Sequence, residues 1–305
     1  MKLSRALVVT LLFGLLVSCS SLNMPSVTDE PTNSTIEGKI IWHDLLSDTP
    51  AESKTFYNEL FGWQFEDVAL KTGLFQSINY TLIRHNGKLI GGMVDQTRLE
   101  TKEDISQWVV LLSVKDIDAA VTSFTAQNGT VFAPPTDLAD RGKLAIVADP
   151  QGALLGLLQT KDGDPLDDQE VDVGGFLWNE LWTSDVSKAT KFYSSIVQYD
   201  AEDRIINKAD NSKQNYRLLK TNNIPRAGIL TNPVEGLSPT WVSYIRVKNA
   251  ESLDAIVARV EELGGAILLA PQNRAIGGRV ALIADPSGAG IALQTWSGKS
   301  KQTKQ

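Results

Sequence analysis

Apolar and polar residues along the chain fall into short blocks that follow one order. A strand-like run over 40–46 leads into a stretch over 50–61 whose Phe56, Leu60 and Phe61 recur at helical spacing. Asp48 or Thr49 supplies the N-cap, Pro50 suits the first turn, and Glu52 sits inside it. Short strands are expected around 75–84 and 89–95, with Asn86-Gly87 as a hairpin turn. A second half follows: a strand over 107–114, a helix over 117–127 closed by Gly129, and two strands joined by Asp149-Pro150-Gln151-Gly152. The residues therefore read as βαββ written twice.

The whole series then recurs. Ile41-Trp42-His43-Asp44-Leu45 returns as Leu177-Trp178-Asn179-Glu180-Leu181, an offset of 136 residues, and Phe56-Tyr57 returns as Phe192-Tyr193 at the same offset. Gly129, Pro135 and the Asp149 turn match Gly265, Pro271 and Asp285-Pro286-Ser287-Gly288. Trp108-Val109 matches Trp241-Val242 at 133, a small length change of the kind loops absorb. The expected order is a first module over 38–160, an acidic linker over 161–173, a second module over 174–297 and a tail over 298–305. Two modules in one chain make a monomer sufficient to pair them.

The N-terminus adds an address. Lys2 and Arg5 precede an apolar stretch from Ala6 to Val17, too short to span a bilayer and suited to a signal peptide over 1–18. It ends in Leu16-Val17-Ser18-Cys19, which matches a bacterial lipobox. The competing reading is an ordinary signal peptide with an incidental cysteine. Cys19 is the only cysteine of the chain and stands at the lipidation position, which favours the lipobox. Ser20 in place of Asp points to the outer membrane of a Gram-negative cell, with the protein facing the periplasm. Residues 19–37 hold the lipidated cysteine and a Ser/Thr/Pro/Asn-rich stretch expected to be a flexible tether. A net charge of −7 disfavours a nucleic-acid partner, which would need clustered Lys and Arg.

The Trp-His-Asp-Leu start, Phe56-Tyr57, Phe61-Gly62-Trp63 and the run from Asp149 to Gln159 resemble the vicinal oxygen chelate superfamily, which includes glyoxalase I, extradiol dioxygenases and bleomycin-resistance proteins. The resemblance covers nearly all of both modules. It implies an α+β fold, tandem paired βαβββ modules forming curved mixed sheets around a cup. The second copy is looser, with Ile196-Val197-Gln198-Tyr199 where Phe-Gly-Trp is expected.

The resemblance also implies where a catalytic metal would sit: four donors on facing strands, acting as a Lewis-acid site for neighbouring substrate oxygens. The corresponding positions are His43 and Asn179, Gly91 or Gly92 and Ala227 or Gly228, Val109 and Val242, and Gly156 and Ala292. Of these only His43 is a clear donor, and the chain has two histidines in all, His85 being expected in a solvated turn. One imidazole does not make a metal site, which needs about three protein ligands. A metal held by unaligned acids such as Asp44 or Glu180 is the remaining alternative, but nothing in the spacing suggests it, and no metal and no cofactor is expected.

Period-2 alternation from those positions predicts the cup linings. In the first copy they are Ile41, His43, Leu45, Val109, Leu111, Ser113, Leu154, Gly156 and Leu158. In the second they are Asn179, Val242, Tyr244, Arg246, Gly290, Ala292 and Gln294, with small residues leaving room. His43, Asn179, Tyr244, Arg246 and Gln294 are the candidate ligand-binding residues, polar groups among apolar walls. Against this, Arg246 and Gln294 can equally stand at strand ends in water. No nucleophile or acid partner is assignable beside His43, which favours a locally satisfied imidazole over a general base. Trp42, Trp178, Phe56 and Phe192 read as core packing. The expected function is metal-independent binding or sequestration of a small molecule by an envelope lipoprotein. The alternative is an enzyme, a lyase or dioxygenase, metal-dependent or using His43.

Overall fold

The computed structural model describes residues 22–71, 77–99, 103–168, 170–207, 213–274 and 277–296. Cys19 and the segment expected to be a signal peptide lie outside the described residues. The first module runs β1 (Ile40–Ser47), α1 (Pro50–Phe61), β2 (Gln64–Lys71), β3 (Ser77–His85), β4 (Lys88–Asp95), β5 (Gln107–Ser113), α2 (Ile117–Ala126), β6 (Thr130–Asp137), β7 (Lys143–Ala148) and β8 (Leu154–Gln159). The second repeats it: β9 (Phe176–Thr183), α3 (Val186–Ile196), β10 (Asp200–Asn207), β11 (Lys213–Thr221), β12 (Ile224–Thr231), β13 (Thr240–Val247), α4 (Ala250–Arg259), β14 (Ala266–Asn273), β15 (Arg279–Ala284) and β16 (Gly290–Thr295). Each module forms one mixed eight-stranded sheet, in the orders β2-β3-β4-β1-β5-β8-β7-β6 and β10-β11-β12-β9-β13-β16-β15-β14. The half-units are thus βαβββ.

The residue pattern had missed β2, β6, β10 and β14, and these four are the outer strands of the two sheets. An edge strand has a free side, so its sequence tolerates charge and proline: β2 reads Gln-Phe-Glu-Asp, and β6 holds Pro134-Pro135. The central strands carry the opposite signature. In β5, Trp108 to Ser113 are all buried, because both faces of the strand are covered. Helix starts are locally encoded. Asp116, Asp185 and Asn249 each accept the amide three residues on, capping α2, α3 and α4. Thr49 makes no such bond, and α1 begins on Pro50.

One face of each sheet, with its helices, packs against the other module. One shared core joins Val110, Leu112 and Phe124 to Leu181, Phe192 and Trp241, and a second joins Leu45, Phe56 and Trp63 to Ile245, Leu253 and Ile291. Repeat-equivalent bonds within each module lie beside the seam: Trp108 Nε1 donates to the Tyr57 hydroxyl at 2.9 Å and Trp241 Nε1 to the Tyr193 hydroxyl at 3.1 Å. The Tyr193 hydroxyl donates in turn to Asp149, in the other module's turn, at 3.2 Å. The opposite face of each sheet builds its own apolar cup.

The stretch expected as a flexible tether is packed. Leu22, Met24 and Val27 are buried in the first cup's core. Residues 32–36 are tied to Asp164, whose carboxylate accepts the Ile36 amide at 2.6 Å and the Ser113 hydroxyl at 2.6 Å. Composition misled here because only three apolar residues are needed to seat the segment once a preformed groove exists.

Candidate functional site

Strand β1 sets which groups the cup receives. Asp44 pairs across to Val109 on β5 and to Gly92 on β4, so Trp42 and Asp44 share the cup face while His43 and Leu45 turn to the module interface. In β9 the same holds for Trp178, Glu180 and Trp182. Ile41 lies in the first cup as expected, β1 being irregular between Ile40 and Trp42, but His43 and Leu45 in β1 and Asn179 in β9 were counted one residue out, which turns those side chains to the other face. Of those expected from β5, β8, β13 and β16, Val109, Leu111, Leu158, Val242, Tyr244 and Ala292 belong to the cups, whereas Ser113 binds Asp164 and Arg246 binds the linker.

The floor of the second cup is a polar knot around Glu180, which is 0% exposed. Its carboxylate accepts the Tyr216 hydroxyl at 2.9 Å, the Trp182 indole N–H at 3.4 Å and the Tyr244 hydroxyl, and pairs with Arg274. Arg274 also donates to Gln294 and lies over the Tyr244 ring at 4.6 Å. Trp178 Nε1 donates to the Tyr216 hydroxyl at 2.9 Å. Burial opposes the guanidinium charge, but Glu180 and the tyrosines outweigh it and hold Arg274 above the usual range. Burial and the neighbouring carboxylate push Tyr216 and Tyr244 well up, so both stay protonated donors. Half-buried Trp178, Leu269 and Val280 rim this floor, and Leu268 stands exposed beside them on β14. Two surface hollows of about 460 and 360 Å³ lie away from both cups.

The first cup repeats the knot with Trp42, Asp44, Tyr80 and Arg141, at the repeat offsets of 136, 136, 136 and 133. Asp44 accepts from Trp42 Nε1 at 2.9 Å and from the Tyr80 hydroxyl, and Arg141 Nη1 donates to that hydroxyl at 2.9 Å. Desolvation raises the Asp44 carboxyl above its ordinary value, with Arg141 and Tyr80 pulling the other way. Here the mouth is covered from within the chain. Met24 donates its amide to the Leu138 carbonyl and accepts the Arg141 amide, both at 3.1 Å, and Arg141 Nε donates to the Pro25 carbonyl at 2.9 Å. Trp42 and Arg141 are each 1% exposed, whereas their equivalents Trp178 and Arg274 are only partly buried. Burying three such side chains is worth roughly 5–9 kcal/mol. Ordering six residues costs about 6–12 kcal/mol, so the seat is near balance.

The candidate residues separate. Tyr244 and Gln294 are in the second cup's knot. Arg246 instead clamps the inter-module linker, pairing with Glu170 at 2.6 Å and donating to the Val171 carbonyl. Trp42 and Trp178, read as core packing, belong to the cups. His85, expected in solvent, is buried with Nε2 against the Val173 carbonyl at 2.8 Å. His43 and Asn179 face away from the cups and meet each other: Nε2 lies 3.0 Å from Asn179 Oδ1, and the imidazole stacks on Phe176 at 3.7 Å. These two positions are equivalent in the repeat, so their contact marks a pseudo-twofold axis between modules. Asp44 and Glu180 were weighed only as unaligned acids for a metal, and their partners, Tyr80 and Tyr216 and Arg141 and Arg274, were missed. All three pairs recur at the repeat offsets and were open to self-comparison.

His43 is held neutral, its pKa lowered to about 4 by burial, with the Asn179 bond and a backbone contact to Ile90 pulling weakly upward. A depressed folded-state value means that the unfolded chain takes up the proton first as pH falls. The stability it contributes is full above pH 6.5 and is lost towards pH 4, about 3 kcal/mol in all. The buried carboxyls of Asp44, Asp149 and Asp285 are raised by desolvation and act in the opposite sense. Urea unfolding of wild type and His43→Gln between pH 4 and 7 isolates the imidazole: the difference should narrow as pH falls, and a constant difference would refute this account.

The positions at which the resemblance implies metal donors do not fit a metal. Gly92 and Gly228 adjoin the knots so closely that a Cβ would overlap the Tyr80 and Tyr216 hydroxyls. A Cβ on Gly156 would meet Leu111 at 2.9 Å, so this small residue is where Leu111 packs and does not leave room. Val109 and Val242 offer no donor. Each cup has one carboxylate at its centre, already held by tyrosine and tryptophan and, in the second, by arginine. Among the described residues no group of three His, Cys, Asp or Glu side chains converges.

Residues 39–157 match the family model of the Glyoxalase/Bleomycin resistance protein/Dioxygenase superfamily. The chain is 29% identical over 255 residues to a Mycobacterium bovis protein named putative glyoxylase CFP32, covering 83% of this chain and 93% of that one. It is 28% identical over 273 residues to the anthracycline biosynthesis protein DauV of a Streptomyces species, covering 84% and 92%. Its fold resembles the Mn(II)-bound glyoxalase from Novosphingobium aromaticivorans, with a TM-score of 0.52 at 15% identity, covering 86% of this chain and 82% of that one.

Proposed function

We propose, from the premise that this chain belongs to the vicinal oxygen chelate superfamily, that it binds a small apolar or aromatic molecule in its second cup without a metal. The observation that carries this reading is a Tyr–carboxylate–Arg knot beneath a rim of Trp178, Leu269 and Val280, with the aligned donor positions held by residues that do not fit a metal. Glu180 is sealed and fully engaged, so it supports a floor rather than acting as a base. Trp178, Leu269 and Val280 are half-buried apolar side chains over the floor, and the Arg274 guanidinium, paired with Glu180 and only partly buried, is the cation nearest them for an anionic group to meet. A relative named for anthracycline biosynthesis is in keeping with a flat aromatic ligand.

A thermal-shift screen of aromatic carboxylates and sulfonates tests the reading. At least one compound should raise Tm by several degrees in wild type and not in Trp178→Ala; no response from any of them sinks it. The name of the mycobacterial relative favours a second reading, a glyoxalase-type lyase. Protein purified without chelator and carrying about one equivalent of Ni, Zn, Fe or Mn would support that reading over ours. We further propose that Cys19 is acylated and holds the protein at the outer membrane, facing the periplasm. Cys19→Ala should then move it from the membrane to the soluble fraction.

A further inference from the structure

The two cups are built alike and end up unlike. In the first, the chain's own residues 22–27 lie where the second cup presents its rim. The segment enters as irregular chain with a tight turn, the Met24 amide donating to the Leu22 carbonyl at 3.1 Å. Leu22, Met24 and Val27 fill the apolar space, and the Pro25 carbonyl accepts a hydrogen bond from Arg141 Nε at 2.9 Å. The fit is incomplete: Arg141 is 1% exposed, yet its Nη2 has no hydrogen-bond partner among the described residues. A buried guanidinium N–H left unpaired is a poor end state for a dedicated structural seat and a natural feature of a site shaped for another occupant. The segment has two unequal attachments. Residues 32–36 are fastened to fully buried Asp164, through the Thr32 hydroxyl on its carbonyl at 2.8 Å and the Ile36 amide on its carboxylate at 2.6 Å. Beyond that pivot, the outer part is held by the Leu138–Arg141 contacts and by one exposed ion pair, Asp29 with Arg84 at 2.6 Å.

We propose that the first cup is a second, latent binding site for an apolar ligand bearing an oxygen acceptor, closed in cis by residues 22–27 acting as a displaceable strap. The strap itself displays the ligand chemistry: apolar bulk over Trp42 and a carbonyl on Arg141. A ligand with a carboxylate or sulfonate in place of the carbonyl satisfies Arg141 more fully. The strap then swings about Asp164 and leaves the module intact. This goes beyond ligand binding in the second cup and does not need it to be correct.

The test uses the full chain with 1-anilinonaphthalene-8-sulfonate, an aromatic anion, as probe, and counts bound equivalents by equilibrium dialysis. Met24→Asp expels the strap and should add one equivalent to whatever wild type binds. Arg141→Gln in that background should remove the added equivalent, and a synthetic peptide of residues 20–30 should compete with it. Wild type binding one and the variant two supports both readings. Wild type binding none and the variant one supports the strap and sinks the second-cup reading. Equal counts in a folded Met24→Asp variant overturn the strap proposal, as does an added equivalent that survives Arg141→Gln. Should Met24→Asp fail to fold by circular dichroism, Asp29→Lys loosens the strap from the surface. It should then strengthen probe binding at the added site severalfold, and no change there counts against the proposal equally.

Discussion

Glu180→Ala is expected to lower the unfolding free energy by about 3–5 kcal/mol, because it leaves the Arg274 guanidinium buried beside two tyrosine hydroxyls that have lost their acceptor. The cost comes from the partners left behind, so it should be partly recovered in the double variant Glu180→Ala/Arg274→Met. That variant removes the stranded charge and keeps the volume. Urea unfolding with an unchanged slope gives both numbers. A single-variant loss below about 1 kcal/mol would mean that the knot is solvated rather than sealed.

Gly228→Ala should be nearly as damaging, at about 3–5 kcal/mol, although it adds a single methyl. The methyl falls on the Tyr216 hydroxyl, which is anchored on one side by Trp178 and on the other by Glu180. Either the ring moves and both hydrogen bonds break, or β12 moves and its pairing with β9 is strained. Pairing the change with Tyr216→Phe removes the clashing oxygen and should recover more than half of the loss. If the double variant is no better than the single one, the hydroxyl is not what confines position 228.

These two predictions rest on residues the sequence had displayed without their meaning being apparent. The repeat, the order of elements and the central strands were legible because apolar periodicity and helix caps are local signals. The outer strands were not, since half of their backbone faces solvent and places few demands on side chains. The cup itself was half legible. The faces of β5, β8, β13 and β16 follow from unbroken alternation, whereas β1 and β9 were counted from a histidine taken to point inward. Val109 and Val242, accepted as cup-facing, pair with Asp44 and Glu180 in the antiparallel register, and that register would have put the acids inside. The twin glycines at 92 and 228 and the twin tyrosines at 80 and 216 were equally available. They are explained only once the hydroxyl is seen in the space of the missing Cβ. The packing of residues 22–27 was not legible at all, since it depends on a groove that distant strands build.

That packing decides how far the protein can stand from a membrane. Only Ser20 and Ser21 separate Cys19 from Leu22, so the chain between anchor and cup spans at most about 10 Å. With Cys19 acylated, the first cup's rim would rest at the headgroups. The two modules meet through their helix-bearing faces, so the second cup would look away from the bilayer. Releasing residues 22–31 would lengthen the leash by about 35 Å. The body would be freed to turn, and either cup could be presented to the space between the membranes.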